Sequence, residues 1–450
     1  MKSLKKLPPL GNVIKILGIN LVLMFILLEG VCLGFYAAQH QQLYYGRSPD
    51  NSDNSEDNPI NLDQQGIRLE ENITEILHPF LGYIAKPGTG FGGFEFQSVF
   101  NANNYGLVSQ LNYPYIRQNP NQVLVGIFGG SVATFYYMNE IENPTLARTL
   151  NNLPEFANKE IVLLNFSQGG YKQPQQLLAL NYFLSQGQEL DLAINIDGFN
   201  EVAIANNNIE KEIAPSMPSA LQVMPLVQLA NNNLSTEQMK IMLEVIGIKE
   251  KLKNSLQGQQ ECVLALCYFW EQIRSTVLIQ NYYDRLEDFD DKRKKSATPD
   301  ESLIYLQPWE SQGTESDYES MAQIWIQSSL AMSSVLQARN IPYFHILQPN
   351  QYYPTERQFS AEEQQQFSPE NNTRNPYLDG VQLGYPYLLQ ASQELLDNGI
   401  YFFSGITAFD REQNTVYIDT CCHYNQTGRN IFANFVASQI ALTFSPPNLQ

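Results

Sequence analysis

Histidine is almost missing from this chain, with four residues in 450. Cysteine and tryptophan are scarce as well, at five and three. Five cysteines cannot staple a fold of this length, so it must rest on a buried apolar core, with room for an insertion or a small second domain. Cys32 sits in an apolar N-terminal run, leaving Cys262, Cys267, Cys421 and Cys422. Four cysteines allow three pairings, and four small buried thiols are the alternative. Basic residues are outnumbered, 27 Lys and Arg against 46 Asp and Glu, giving a formal net charge of -19. With no basic stripe to displace counterions from a phosphate backbone, nucleic acid is excluded as a partner. No repeat of solenoid length is present.

Several site types are absent too. Gly126, Gly129 and Gly130 do not have the Gly-x-Gly-x-x-Gly spacing of a dinucleotide site, and no Lys stands beside Ser131 as in a phosphate loop. The Gly-x-Ser-x-Gly elbow of α/β-hydrolases fails because position 133 is Ala. One His beside two Cys, with no second cluster at metal-ligand spacing, is a poor zinc set. Neither a metal nor a cofactor is expected.

The long apolar run is Ile16 to Ala38, 23 residues where about 20 cross a bilayer as a helix. Asn20 and Glu29 interrupt it, and Glu29 must be neutral or face a partner helix. Lys2, Lys5, Lys6 and Lys15 all precede the run. That asymmetry predicts a cytoplasmic N-terminus (residues 1–15), a single-pass signal anchor (16–38) and an extracytoplasmic domain on the periplasmic side. Residues 39–70 are rich in Gln, Asn, Asp and Ser and read as a solvated tether to a domain over 71–450.

Within that domain, apolar runs predict strands at Val123 to Phe128, Ile161 to Phe166, Leu192 to Asp197, Pro342 to Gln348, Ile400 to Ser404 and Val416 to Ile418. Helical patterns lie between and after them, at Asn143 to Asn151, Gln173 to Gln186, Tyr318 to Arg339 and Thr427 to Leu442. This alternation predicts an α/β fold whose central parallel sheet is covered on both faces. Residues 204–317 break the rhythm with helical patterns at Thr236 to Leu252 and Val263 to Gln280, then a charged stretch from Arg285 to Lys295 that reads as a solvated face. The block is expected to be a helical insertion on the ligand-binding side of the sheet, where it could cap a site.

The first of these strands runs into Gly129-Gly-Ser131, placing a hydroxyl at the carboxyl end of a central strand, where open α/β sheets bind ligands. A serine nucleophile needs a base, a group to orient the base, and oxyanion donors. Among the four histidines, His40 ends the anchor, His78 precedes the sheet, and His345 lies inside an apolar strand. His423 remains, in a polar loop before the last helix, with Asp419 four residues upstream. The amides of Ser131 and Gly170 and the side chain of Asn200 each follow a different strand end, as oxyanion donors should.

Taken in order, these blocks resemble the SGNH (GDSL-type) hydrolases. Gly129-Gly-Ser131 resembles the first block, Asn165-Phe-Ser-Gln-Gly-Gly170 the second, Gly198-Phe-Asn200 the third, and Asp419 to His423 the fifth. The anchor followed by His78-Pro-Phe-Leu-Gly-Tyr83 is similar to membrane-anchored bacterial members. The resemblance covers about residues 120–206 and 320–442. It implies a three-layer α/β/α flavodoxin-like sandwich, with Ser131 as nucleophile, His423 as base, Asp419 as orienting acid, and Gly170 and Asn200 completing the oxyanion hole. The family spacing is Asp-x-x-His, whereas Thr420, Cys421 and Cys422 intervene here, so a backbone carbonyl or Asp410 stands as an alternative orienter. The expected function is hydrolysis of a small-molecule or glycan ester. The alternatives are O-acyl transfer to an envelope or exported polysaccharide, and a non-catalytic envelope protein that binds glycan.

Overall fold

The computed structural model describes residues 10–40, 43–46, 74–91, 96–230, 236–296, 304–368 and 375–444. Most of the expected cytoplasmic stretch (1–9) and of the tether (41–42 and 47–70) therefore lies outside the described residues. The chain divides into two compact units, residues 1–71 with 233–302, and residues 72–232 with 303–450.

In the first unit the helix Leu10–His40 contains Gly18–Ala38, 21 residues of mean hydropathy 2.2, and is the one described helix long and apolar enough to cross a membrane. Glu29 does face a helix. Its carboxylate accepts the amides of Ala265 at 2.8 Å and Leu266 at 2.9 Å and the Tyr45 hydroxyl at 2.6 Å. It thereby satisfies the open N-terminus of the helix Ala265–Ser296. A disulfide joins Cys262, just before that helix, to Cys267 in its first turn. The helix pairs with Thr236–Glu261 around Ile241, Val245, Leu252, Ile279, Tyr282 and Phe289. Arg285 to Lys295 belongs to the same helix, where Arg285 pairs with Asp288 and Glu244, and Lys292 with Glu237. Residues 204–232 and 303–317, expected within the insertion, fall in the second unit.

The second unit opens with two small antiparallel pairs, β1 (Glu75–His78) with β2 (Gly82–Ala85), and β3 (Gly90–Phe91) with β4 (Phe100–Asn101). Five parallel strands follow: β5 (Gln122–Gly129), β6 (Glu160–Asn165), β7 (Leu192–Asp197), β8 (Tyr343–Leu347) and β9 (Tyr401–Ser404). Their spatial order is β6-β5-β7-β8-β9, or 2-1-3-4-5 along the chain. β7 and β8 are buried along their whole length and β5 nearly so, which is why they read as unbroken apolar runs. The helices Ser131–Glu142, Gln175–Ser185, Thr314–Gln337, Leu378–Asp397 and Gln426–Phe444 flank the sheet. The architecture is a mixed α/β sandwich around a parallel sheet.

Strand order reverses between β5 and β7, and the crevice at their carboxyl ends is where such sheets bind ligands. β5 ends at Gly129 opposite Ile196. Gly129 has φ +138°, and a Cβ there would lie 2.0 Å from the Ile196 carbonyl oxygen. Only glycine turns the chain there, and the helix starts at Ser131. Val416 to Ile418 does not form the expected strand. The Val416 and Tyr417 amides donate to Glu363 Oε1 at 2.9 Å and 3.1 Å instead of to a neighbouring strand, leaving one bridge from Tyr417 to Tyr424.

Candidate active site

Ser131 is the first residue of its helix, so its amide and hydroxyl both face the open end. His423 arrives from the loop before the last helix, 292 residues away, and its Nε2 lies 2.8 Å from Ser131 Oγ. Its Nδ1 hydrogen-bonds Asp419 Oδ2. Phe135, one turn beyond Ser131, stacks on the imidazole at 4.7 Å and limits its tilt.

The Asp419 spacing, which departs from the resembled pattern, closes by wrapping. Asp419 Oδ1 accepts the amides of Cys421 and Cys422 at 3.0 Å and of His423 at 3.2 Å, so the loop coils around its own carboxylate. Tyr352 Oη and Asn375 Nδ2 donate to the Thr420 carbonyl, Asn350 Nδ2 to that of Cys421 and Gln351 Nε2 to that of Asp419. Asp419, and not Asp410, meets the ring.

Burial opposes charge on Asp419, but the charge and hydrogen bond of His423 and the loop amides win, holding the carboxyl near 2. For His423, burial alone would favour the neutral ring. Asp419 and then Cys422 outweigh it and raise the imidazole well above its ordinary value.

Of the expected oxyanion donors, Asn200 reaches the residue before Ser131. Asn200 Nδ2 lies against Gly130, where a Cβ would sit 2.1 Å from it, and donates to the Tyr171 carbonyl at 2.7 Å. The side chain thus bridges the residue before Ser131 and the residue after Gly170. Gly170 has φ +76°, a conformation that favours glycine.

Supports that sequence reading passed over hold this arrangement. Tyr83 Oη donates to the Gly169 carbonyl at 2.7 Å, and Tyr171 Oη returns a bond to the Tyr83 carbonyl at 2.6 Å, so the β1–β2 hairpin props the Gly170 turn. Glu201 is buried behind Asn200. It accepts the amides of Gly198 at 2.8 Å and Gln173 at 3.1 Å, tying together the two loops that carry Asn200 and Gly170. Burial and then the Asp197 charge push its carboxyl up to about 8. The one available signal was an acid directly following Asn200.

His78 and His345, the other histidines of the second unit, lie elsewhere in it. His78 Nδ1 accepts the amides of Phe80 and Leu81. His345 is fully buried, bonded to Asp197 and Ser329 at 2.7 Å and 2.8 Å. Cys421, Cys422 and His423 have ligand atoms within 4.8 Å of one another, the one group of metal-ligating type found among the described residues. Both ring nitrogens of His423 are already taken by Asp419 and Ser131, so a cation there would displace one of these bonds.

No protein-family model matches the chain, and no curated protein matches it. Among solved structures it is similar to a crystal structure of a candidate acylhydrolase from Bacteroides fragilis NCTC 9343. The identity is 9%, the TM-score 0.34, and the match covers 74% of this chain and 92% of that one. So loose an overlap has no bearing on the chemistry.

Proposed function

We propose that the chain is a membrane-anchored, extracytoplasmic serine esterase of the SGNH type, acting on a small-molecule or glycan ester. The observation that carries this is the unbroken hydrogen-bond chain from Ser131 Oγ through His423 to Asp419, opening at a helix N-terminus beside Asn200. The 2-1-3-4-5 strand order, the flavodoxin-like one, supports the same reading. The apolar helix Leu10–His40 would be the anchor, and the lysines before its apolar core would keep the N-terminus cytoplasmic.

With Nδ1 protonated toward Asp419, His423 Nε2 is left to accept the Ser131 proton as Oγ attacks the ester carbonyl. The new oxyanion takes hydrogen bonds from the Ser131 and Gly170 amides and from Asn200 Nδ2. Collapse expels the alcohol, which receives the proton from His423. Water, deprotonated by the same ring, then attacks the acyl-enzyme, and the carboxylic acid leaves as Ser131 is reprotonated. Asp419 stays ionised throughout and stabilises the imidazolium.

Turnover of p-nitrophenyl acetate and of acetylated oligosaccharides by the full chain in detergent micelles tests the proposal. Release of the alcohol by wild type but not by Ser131→Ala is expected. Equal rates for the two proteins would remove Ser131 from the chemistry.

A further inference from the structure

Two of the three residues between Asp419 and His423 are cysteines, and neither is needed for acyl transfer. Their Sγ atoms lie 2.7 Å apart, well inside ordinary sulfur contact and within 1 Å of the disulfide bond length of about 2.05 Å. The loop is held in this shape from outside, through the carbonyls of Asp419, Thr420 and Cys421, and this keeps the two sulfurs side by side. Cys421 is part-exposed as a residue and Cys422 is buried, so Cys421 is the member of the pair nearer to solvent. The Cys422 thiol also lies within hydrogen-bond reach of the His423 ring.

We propose that Cys421 and Cys422 form a reversible disulfide between adjacent residues, and that closing it releases His423 to act as base. The proposal places a modification site inside the candidate active site. Its effect on Ser131 rests on the esterase reading, whereas the disulfide itself does not. The oxidant is an external disulfide. One thiolate attacks it and expels the first thiol, and the second cysteine then attacks the mixed disulfide and expels the other. Two cysteine thiols and one external disulfide thus become one cysteine disulfide and two external thiols. Adjacent Cα atoms are about 3.8 Å apart, below the usual range for a disulfide, so the bond is easily reduced again.

In the dithiol state, burial opposes a thiolate at Cys422, but the Cys421 hydrogen bond and the charge and hydrogen bond of His423 outweigh it and bring the thiol down to about 7. A Cys422 thiolate beside His423 favours the imidazolium, which has no lone pair for the Ser131 proton. Asp419 faces the same ring. Tyr352, Tyr377, Tyr385, Tyr417 and Tyr424 surround the pair and are all held neutral by burial. Closing the disulfide removes the thiolate and leaves the ring to Asp419 alone.

The full chain in detergent micelles is treated with glutathione disulfide or with a reductant, alkylated, and the peptide spanning 421–422 weighed. After oxidation the peptide should be lighter by two hydrogens and unalkylated, and after reduction it should carry two alkyl groups. Two alkyl groups after oxidation, or a lasting glutathione adduct, overturns the disulfide. In parallel, a fluorophosphonate should label oxidised protein roughly tenfold faster at pH 7, the change expected when the base's titration moves by about one pH unit. The Cys421→Ala/Cys422→Ala variant should label at the oxidised rate under both treatments, and the Cys262→Ser/Cys267→Ser variant should keep the wild-type response. Equal wild-type rates, or a response lost with Cys262 and Cys267, overturns the gating. No labelling in either state, with the lighter peptide present, overturns the esterase reading and its gating, while the mass still supports the disulfide.

Discussion

The second unit contains two Asp–His–Ser arrays, and under the proposed function only one of them reacts. Ser131, His423 and Asp419 form the first. Asp197, His345 and Ser329 form the second, with bonds of 2.7 Å from Asp197 to His345 and 2.8 Å from His345 to Ser329. Residue types and connectivity are the same, though the imidazoles use opposite ring nitrogens. The surroundings differ. In the second array Ser329 and His345 are fully buried beside Trp325, Tyr343 and Phe402. Asp197 is further tied by Trp325 Nε1 at 2.8 Å and Asn195 Nδ2 at 2.7 Å. No substrate reaches that hydroxyl, so the array fastens β7 and β8 to the helix Thr314–Gln337. The first array stands at the strand ends, with its hydroxyl at a helix N-terminus and the Asn200 amide against the preceding Gly130. A relay of three side chains is therefore not in itself a site; access and oxyanion donors make the difference.

Substitutions on each side sharpen that comparison. Ser131→Ala should cost on the order of 10⁶-fold in kcat, the loss of a nucleophile, while Ser329→Ala should leave turnover within about twofold. A matching loss in Ser329→Ala, measured per folded molecule, would break the distinction. Asp419→Asn should preserve the loop but present the wrong tautomer, with a loss of about 10⁴-fold in kcat; a change below about tenfold in steady-state assays would assign the orienting role elsewhere.

His345→Ala strips a partner from the buried Asp197 and should cost about 3–5 kcal/mol in denaturant unfolding, with little effect on turnover of the folded fraction. A stability within about 1 kcal/mol of wild type would show that the second array is not structural. Asn200→Ala removes one oxyanion donor, and a rise of about 3 kcal/mol in the barrier is expected from kcat. An unchanged kcat would take Asn200 out of the hole.

The smallest effect is graded with pH. Burial favours the neutral ring, but Asp419 and Cys422 outweigh it and raise His423. As pH falls through that raised value the ring gains a proton and can no longer take one from Ser131, so the rate should fall about tenfold per pH unit. The acid limb should lie above the ordinary imidazole range near 6.5. A limb at or below it in a kcat/KM profile would show that His423 is not the base.

Much of this was legible because the informative residues were few. With four histidines, only His423 sat in a polar loop at the right end of the sheet, and the buried strands declared themselves as apolar runs. What stayed hidden depends on contacts over long separations. β1 and β2 are only four residues each and the Gly169 carbonyl is 86 residues from Tyr83, so nothing along the chain marked Tyr83 as the prop of the Gly170 turn. The helix Leu378–Asp397 carries Pro386 in its interior and so does not read as one helix. Val416 to Ile418 has strand composition, but Glu363, from a different helix, takes the amides a sheet would need. Asp419 was the expected orienting acid although its spacing departs from the resembled Asp-x-x-His pattern, and the coiling of the loop around its carboxylate cannot be read from residue types.

The most direct measurement maps a fluorophosphonate adduct by peptide mass on the intact, folded chain. The account predicts one adduct per chain, located on Ser131 and absent after Ser131→Ala. An adduct on Ser329 instead, or a fully folded protein carrying none, would contradict it.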